Sequence, residues 1–135
     1  MDNPLSDDPR RALWTQPVGC TGHRLWQMAT ARTGISESDW LERTQRMNLC
    51  VGGWSKRAAI EKMQEIRPSL TDRTCIMLGR EVAWTFGMDQ DFLHWTPHMH
   101  DWVAIPHPSG LNHWYNCDGQ RAAVEILLAD ILEEL

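Results

Sequence analysis

His107 is the residue around which any chemistry in this chain would be built. It follows an apolar run, Val103 to Ile105, and stands between Pro106 and Pro108, with Gly110 close behind. Such a run reads as a strand buried on both faces, and the breakers after it force an exposed turn. A rigid turn at a strand tip is a frequent support for binding and catalytic side chains. Besides the imidazole, the turn carries the hydroxyl of Ser109 and a lone apolar side chain, Leu111. An ordinary surface loop with a chance histidine has the same composition.

Two amides occupy comparable places earlier. Asn48 lies in Met47-Asn-Leu-Cys-Val51, a short apolar stretch that reads as a buried strand ending at Gly52-Gly53. An amide offers one donor and one acceptor together, which suits a pyrimidine edge. It equally suits a buried asparagine bonded to backbone. Gln16 precedes Pro17 in a turn after Ala12-Leu13-Trp14, itself read as a short strand.

His107-Pro108-Ser109-Gly110-Leu111 resembles the His-Pro-Ser-Pro-Leu loop of the uracil-DNA glycosylase superfamily. The other stretches follow that family's order: Gln16-Pro17, Asn48 in Met47-Asn-Leu, Leu78-Gly79-Arg80-Glu-Val-Ala83, then the closing loop. The resemblance covers roughly residues 12–135. It implies a three-layer α/β/α sandwich with a central, mostly parallel sheet of about four strands. It also implies hydrolysis of the N-glycosidic bond of an extruded pyrimidine-type or modified base in DNA.

By the resemblance, His107 and Gln16 are the catalytic residues, and His107 donates to the oxygen on which the leaving base gathers charge. Asn48 reads the base edge, and Trp54 offers a flat ring for stacking. Ser109, Gly110, Leu111, Asn112 and Arg80 contact the DNA. In that set Leu111 is the wedge that fills the vacated stack, and Ser109 holds a phosphate. The resemblance implies no cofactor. Family members that hold an iron–sulfur cluster use closely spaced cysteine pairs, and Cys20, Cys50, Cys75 and Cys117 are widely spread. The chain is short for this family, which leaves a homodimer or a protein partner to complete the DNA-binding face. It departs from the family at Gln16, where relatives place Asp, Asn or Glu. A glutamine positions water but cannot take its proton, so a base-binding relative of weak or no activity is an alternative reading.

Two readings belong to other classes. His94, His98, His100, His107 and His113, with Asp101 and Cys117, have side chains of the kind that bind zinc. The first three surround Pro97, which denies them a helix face, so no metal is expected. The chain also has 8 tryptophans. Trp26, Trp40, Trp84 and Trp102 fall at core-like positions, whereas Trp54, Trp95 and Trp114 lie in loop-like sequence. Tryptophan is enriched at interface hot spots, so a Trp-rich interaction module is the third reading.

The 135 residues suffice for one domain, assigned to 11–135 after a polar, proline-containing lead at 1–10 that is expected to be disordered. No apolar run is long enough to span a membrane, and the acidic start is unlike a secretory signal, so a soluble cytoplasmic protein is expected. Cys50 and Cys75 sit in apolar runs and read as buried thiols. The net charge of -5 is uneven. Residues 43–80 hold eight Lys/Arg against three acids, a net +5, while residues 81–135 hold Arg121 against nine acids. A basic middle permits a phosphate contact, and charge on solvated helix faces would look the same.

The elements that must position these residues follow from caps and periodicity. Thr21 is expected to cap a helix to about Arg32, Ser36 one to about Arg46, and Ser55 one over Lys56 to Ile66. Cys75 to Leu78 reads as a strand, Arg80 to Phe86 as a helix closed by Gly87, and Gly119 to Glu134 as a final amphipathic helix. Alternating strands and helices favour a parallel sheet. Its carboxyl-end tips, at Thr15–Pro17, Asn48, Gly79 and His107, would then converge on one pocket.

Overall fold

The computed structural model describes residues 12–50, 53–88, 102–109 and 112–134. They form helices α1 (Thr21–Thr33), α2 (Glu37–Arg43), α3 (Lys56–Ile66), α4 (Arg80–Thr85) and α5 (Asp118–Glu134), with strands β1 (Cys75–Leu78) and β2 (Trp102–Ile105). The chain divides into two compact units. One comprises Met1–Asn48 and Pro108–Leu135, the other Leu49–His107.

The first unit is helical. Leu25, Met28 and Ala29 recur on one face of α1, and Val124, Leu127, Leu128 and Ile131 on one face of α5; all are buried, and the two helices pack together. Each fully buried aliphatic side chain of this kind contributes about 1.5–3 kcal/mol. Helix α1 is capped by Cys20, whose Sγ accepts from the His23 amide at 3.4 Å; the expected cap, Thr21, is its first residue. Helix α2 starts as expected, with Ser36 Oγ accepting from the Asp39 amide at 3.1 Å, but ends at Arg43 rather than Arg46. Gly22 makes close packing at the head of α1 feasible. A Cβ there would lie 2.2 Å from the Leu13 carbonyl oxygen and 2.3 Å from that of Trp14.

In the second unit β1 and β2 run parallel, Cys75 opposite Trp102 and Leu78 opposite Ile105. Val103, Ala104 and Ile105 are fully buried, as a strand covered on both faces should be. Met77, Ala83, Phe86 and Ala104 form the core, with Met63, Ile66 and Leu70 against it. Phe86 meets Trp102 edge to face at 5.6 Å. Ser55 caps α3 by accepting from the Ala58 amide at 3.3 Å.

The expected three-layer sandwich of about four strands is not formed; the described residues hold a two-stranded parallel sheet among helices. Ala12 and Leu13 are buried in a turn, with Leu13 at φ 53, so neither is strand. Residues 47–50 are irregular and only partly buried. Both segments are apolar, and both hide part of that surface without sheet hydrogen bonds. Trp84 was expected in the core and is exposed, while Trp40 is buried. Cys50 and Cys75 are half-buried thiols. The lead at 1–10 and the histidine-rich segment 89–101 lie outside the described residues, as do Gly110 and Leu111. None of the described helices is long and apolar enough to cross a membrane.

Candidate functional site

His107 follows β2 by two residues and is half-buried. The hydrogen-bond ladder continues past β1, since the Gly79 amide donates to the Ile105 carbonyl at 2.8 Å. This sets Gly79 beside the start of the histidine turn. A Cβ on Gly79 would lie 3.3 Å from His107 Cβ and 3.7 Å from Cδ2. Gly79 has φ 92 and ψ 164, a conformation open to glycine and costly for other residues. The turn from β1 into α4 and the turn after β2 therefore meet at the carboxyl end of the parallel pair, where ligands bind in open α/β sheets. Arg80, at the head of α4, is exposed, as is Trp54.

The other two strand tips expected to join them are not strand tips, because their segments are not strands. Asn48, in the first unit, is half-buried and has a partner of its own. Gln16, in the same unit, is exposed and precedes, across a cis bond to Pro17, the turn in which the Cys20 amide donates to the Pro17 carbonyl at 3.1 Å.

The turn at Gln16 has a neighbour that sequence reasoning missed. The fully buried Thr15 donates its hydroxyl to Glu37 Oε1, and Gln16 Nε2 donates to the same oxygen at 3.1 Å. These two bonds, Thr15 first, hold the Glu37 carboxyl below its ordinary value of 4.5. His23, buried on α1, donates from Nδ1 to the Thr15 carbonyl at 3.2 Å, which ties this segment to α1. No local sequence signal announces Glu37, which reads there only as an acid in the first turn of a helix.

Beyond His107, the described residues Pro108, Ser109 and Asn112 are bonded within the first unit. Arg24 Nε donates to the Pro108 carbonyl at 3.2 Å. Half-buried Ser109 accepts at its carbonyl from the Asn112 amide at 3.0 Å. Asn112 Oδ1 accepts from the Trp114 amide at 3.1 Å, capping the short turn of helix His113–Asn116.

The basic middle of the chain is largely engaged in the fold. Arg46 donates to the carbonyls of Ala12, Leu41 and Thr44, and Arg43 to that of Leu132. On α3, Arg57 pairs with Glu61 and Lys62 with Glu65. Lys56 lies 4.5 Å over the Trp84 ring and Arg67 5.6 Å over Trp102. Among the described residues no group of three His, Cys, Asp or Glu could hold a metal; His94, His98, His100 and Asp101 lie outside them. A cleft in the first unit, at Arg32, Ile35, Ser36, Asp39, Arg43 and Leu132, includes none of the catalytic, base-binding or DNA-binding residues expected from sequence.

Comparison with protein-family models, curated proteins and solved structures finds no match.

Proposed function

We propose that the chain is a DNA glycosylase-like protein that accepts an extruded pyrimidine-type or modified base and hydrolyses its N-glycosidic bond. The observation that carries this reading is the packing of His107 on Gly79, two turns that the motif order pairs in function and that lie side by side in the second unit. In this reading the His107 imidazole donates to the oxygen of the departing base as the glycosidic electrons move onto it. Asn48 reads the base edge and Gln16 directs the attacking water. Trp54 stacks on a base, and Ser109, Gly110, Leu111, Asn112 and Arg80 engage the DNA. No cofactor is needed for this chemistry.

The test is incubation with duplexes carrying a panel of altered bases, scoring abasic sites for the native chain and for His107→Ala. Release of a base by the native chain, slowed about 10²–10³-fold in His107→Ala, supports the reading. Cleavage indifferent to His107 removes its role, and a chain inert on every duplex removes the reading. Exposed Trp14 and Trp84 favour a second reading, a module that binds a protein partner. An absence of DNA binding together with a stable heteromeric complex distinguishes it.

A further inference from the structure

We infer that the second unit carries a docking surface for single-stranded DNA, built from the Trp84 ring and the cations of Lys56 and Arg80. The inference rests on the glycosylase reading only in taking the strand as DNA; binding here needs no base to be released, and all three residues belong to one unit. Trp84 is 46% exposed, although its neighbours on α4, Ala83 and Thr85, are buried. Helices α3 and α4 pack together, and Lys56, the first residue of α3, sets its Nζ 4.5 Å over that ring. Arg80 precedes Trp84 by four positions, so both project from one face of α4. The neighbouring cations of α3 are neutralised, Arg57 by Glu61 and Lys62 by Glu65. Among the described residues no carboxylate pairs with Lys56 or Arg80.

An exposed flat ring beside two unneutralised cations matches what a single strand offers, unpaired base faces and phosphates; a duplex hides those faces in its own stack. Magnitudes decide what Lys56 does when the strand arrives. A cation over an exposed ring is worth about 2–5-fold in an equilibrium constant, whereas a base stacked on an aromatic side chain is worth about 5–150-fold. The ammonium therefore yields the ring to a base and moves to an adjacent phosphate, where it releases a counterion. An acidic peptide would gain only solvent-exposed ion pairs here and nothing from the ring, and such pairs are weak. Glu81, three positions before Trp84, opposes the phosphates from the same face.

The experiment measures binding of the full chain to labelled oligodeoxycytidine of about 12 nucleotides by fluorescence anisotropy, at several salt concentrations. This strand contains no altered base. The variants are Trp84→Leu, Trp84→Phe, Lys56→Gln, Arg80→Gln, Glu81→Gln and, as a control that removes the same charge elsewhere on α3, Lys62→Gln. Circular dichroism verifies that each is folded. Trp84→Leu should weaken binding about 5–150-fold and Trp84→Phe less. Lys56→Gln and Arg80→Gln should each flatten the slope of log affinity against log salt by about 0.7, Lys62→Gln should leave it, and Glu81→Gln should tighten binding. Native affinity in a folded Trp84→Leu, equal losses in Lys56→Gln and Lys62→Gln, or equal affinity for a duplex of the same length overturns the surface. Tighter binding of oligocytidine overturns the choice of DNA, and binding of polyglutamate without binding of the strand overturns the proposal in favour of a protein partner. A chain that passes these tests yet releases no base from any altered duplex loses the glycosylase reading and keeps this surface.

Discussion

Gly79 leaves to His107 the space its own side chain would fill: a Cβ at position 79 would approach His107 Cβ to 3.3 Å. Two costs therefore fall together on Gly79→Ala. The backbone at φ 92, ψ 164 disfavours any Cβ by about 1–3 kcal/mol, and the added methyl presses on the histidine turn. The variant should unfold at lower temperature and shift the His107 imidazole resonances. A native melting temperature with unmoved resonances would show that the turns are not in contact.

Gly22 presents a sharper conflict. Alanine in a helix gains about 1 kcal/mol over glycine. At Gly22 the new methyl would overlap the backbone oxygens of Leu13 and Trp14, which no rotamer change relieves. Overpacking of this sort costs about 1–3 kcal/mol, so Gly22→Ala should destabilise. Gly119→Ala, in α5 and with nothing within 4 Å, should instead stabilise by about 0.4–1 kcal/mol. Denaturant midpoints that move the same way in both variants would contradict the close approach.

Cys20 caps α1 with a thiol, a weak acceptor. A serine hydroxyl at the same place can accept from the His23 amide and donate to the Trp14 carbonyl, as the thiol does at 3.2 Å. Cys20→Ser should match or exceed native stability, whereas Cys20→Ala should lose about 0.5–2 kcal/mol. The comparison by chemical denaturation fails if alanine is the better tolerated of the two.

The Glu37 carboxyl titrates below 4.5 because Thr15 and then Gln16 donate to it. Since its folded value is depressed, the stabilisation it brings is present above the unfolded value and is lost as pH falls through the folded one. Thr15→Val removes the first donor, so the carboxyl should return toward 4.5 in a carbon-detected NMR titration. The difference in stability between native chain and variant should narrow as pH falls through that acid window. An unmoved titration would place the cause elsewhere.

What was legible in the sequence followed from local rules. Ser36 and Ser55 announce their helices because a hydroxyl before a helical stretch satisfies an orphan amide, and the structure uses both that way. Cys75 to Leu78 and the run after Trp102 read as strands because each is apolar and bounded by breakers. Ala12 to Trp14 and the described part of the next apolar stretch, Met47 to Cys50, have the same local pattern, so composition could not tell an apolar turn or loop from a strand. Trp84 shows the related limit: its solvent-facing ring lies under Lys56, a partner 28 positions away. In the candidate site, a motif led to His107 and its turn. Glu37 was invisible because its bonds to Thr15 and Gln16 span 22 and 21 positions and exist only once the helices have packed.

The pairing of Leu78 with Ile105 also acts as a length standard for the imidazole beyond it. Each residue of a strand advances the chain by about 3.3 Å. A single insertion between Cys75 and Gly79, or between Trp102 and His107, would carry the histidine a full step past its neighbour and turn buried side chains outward.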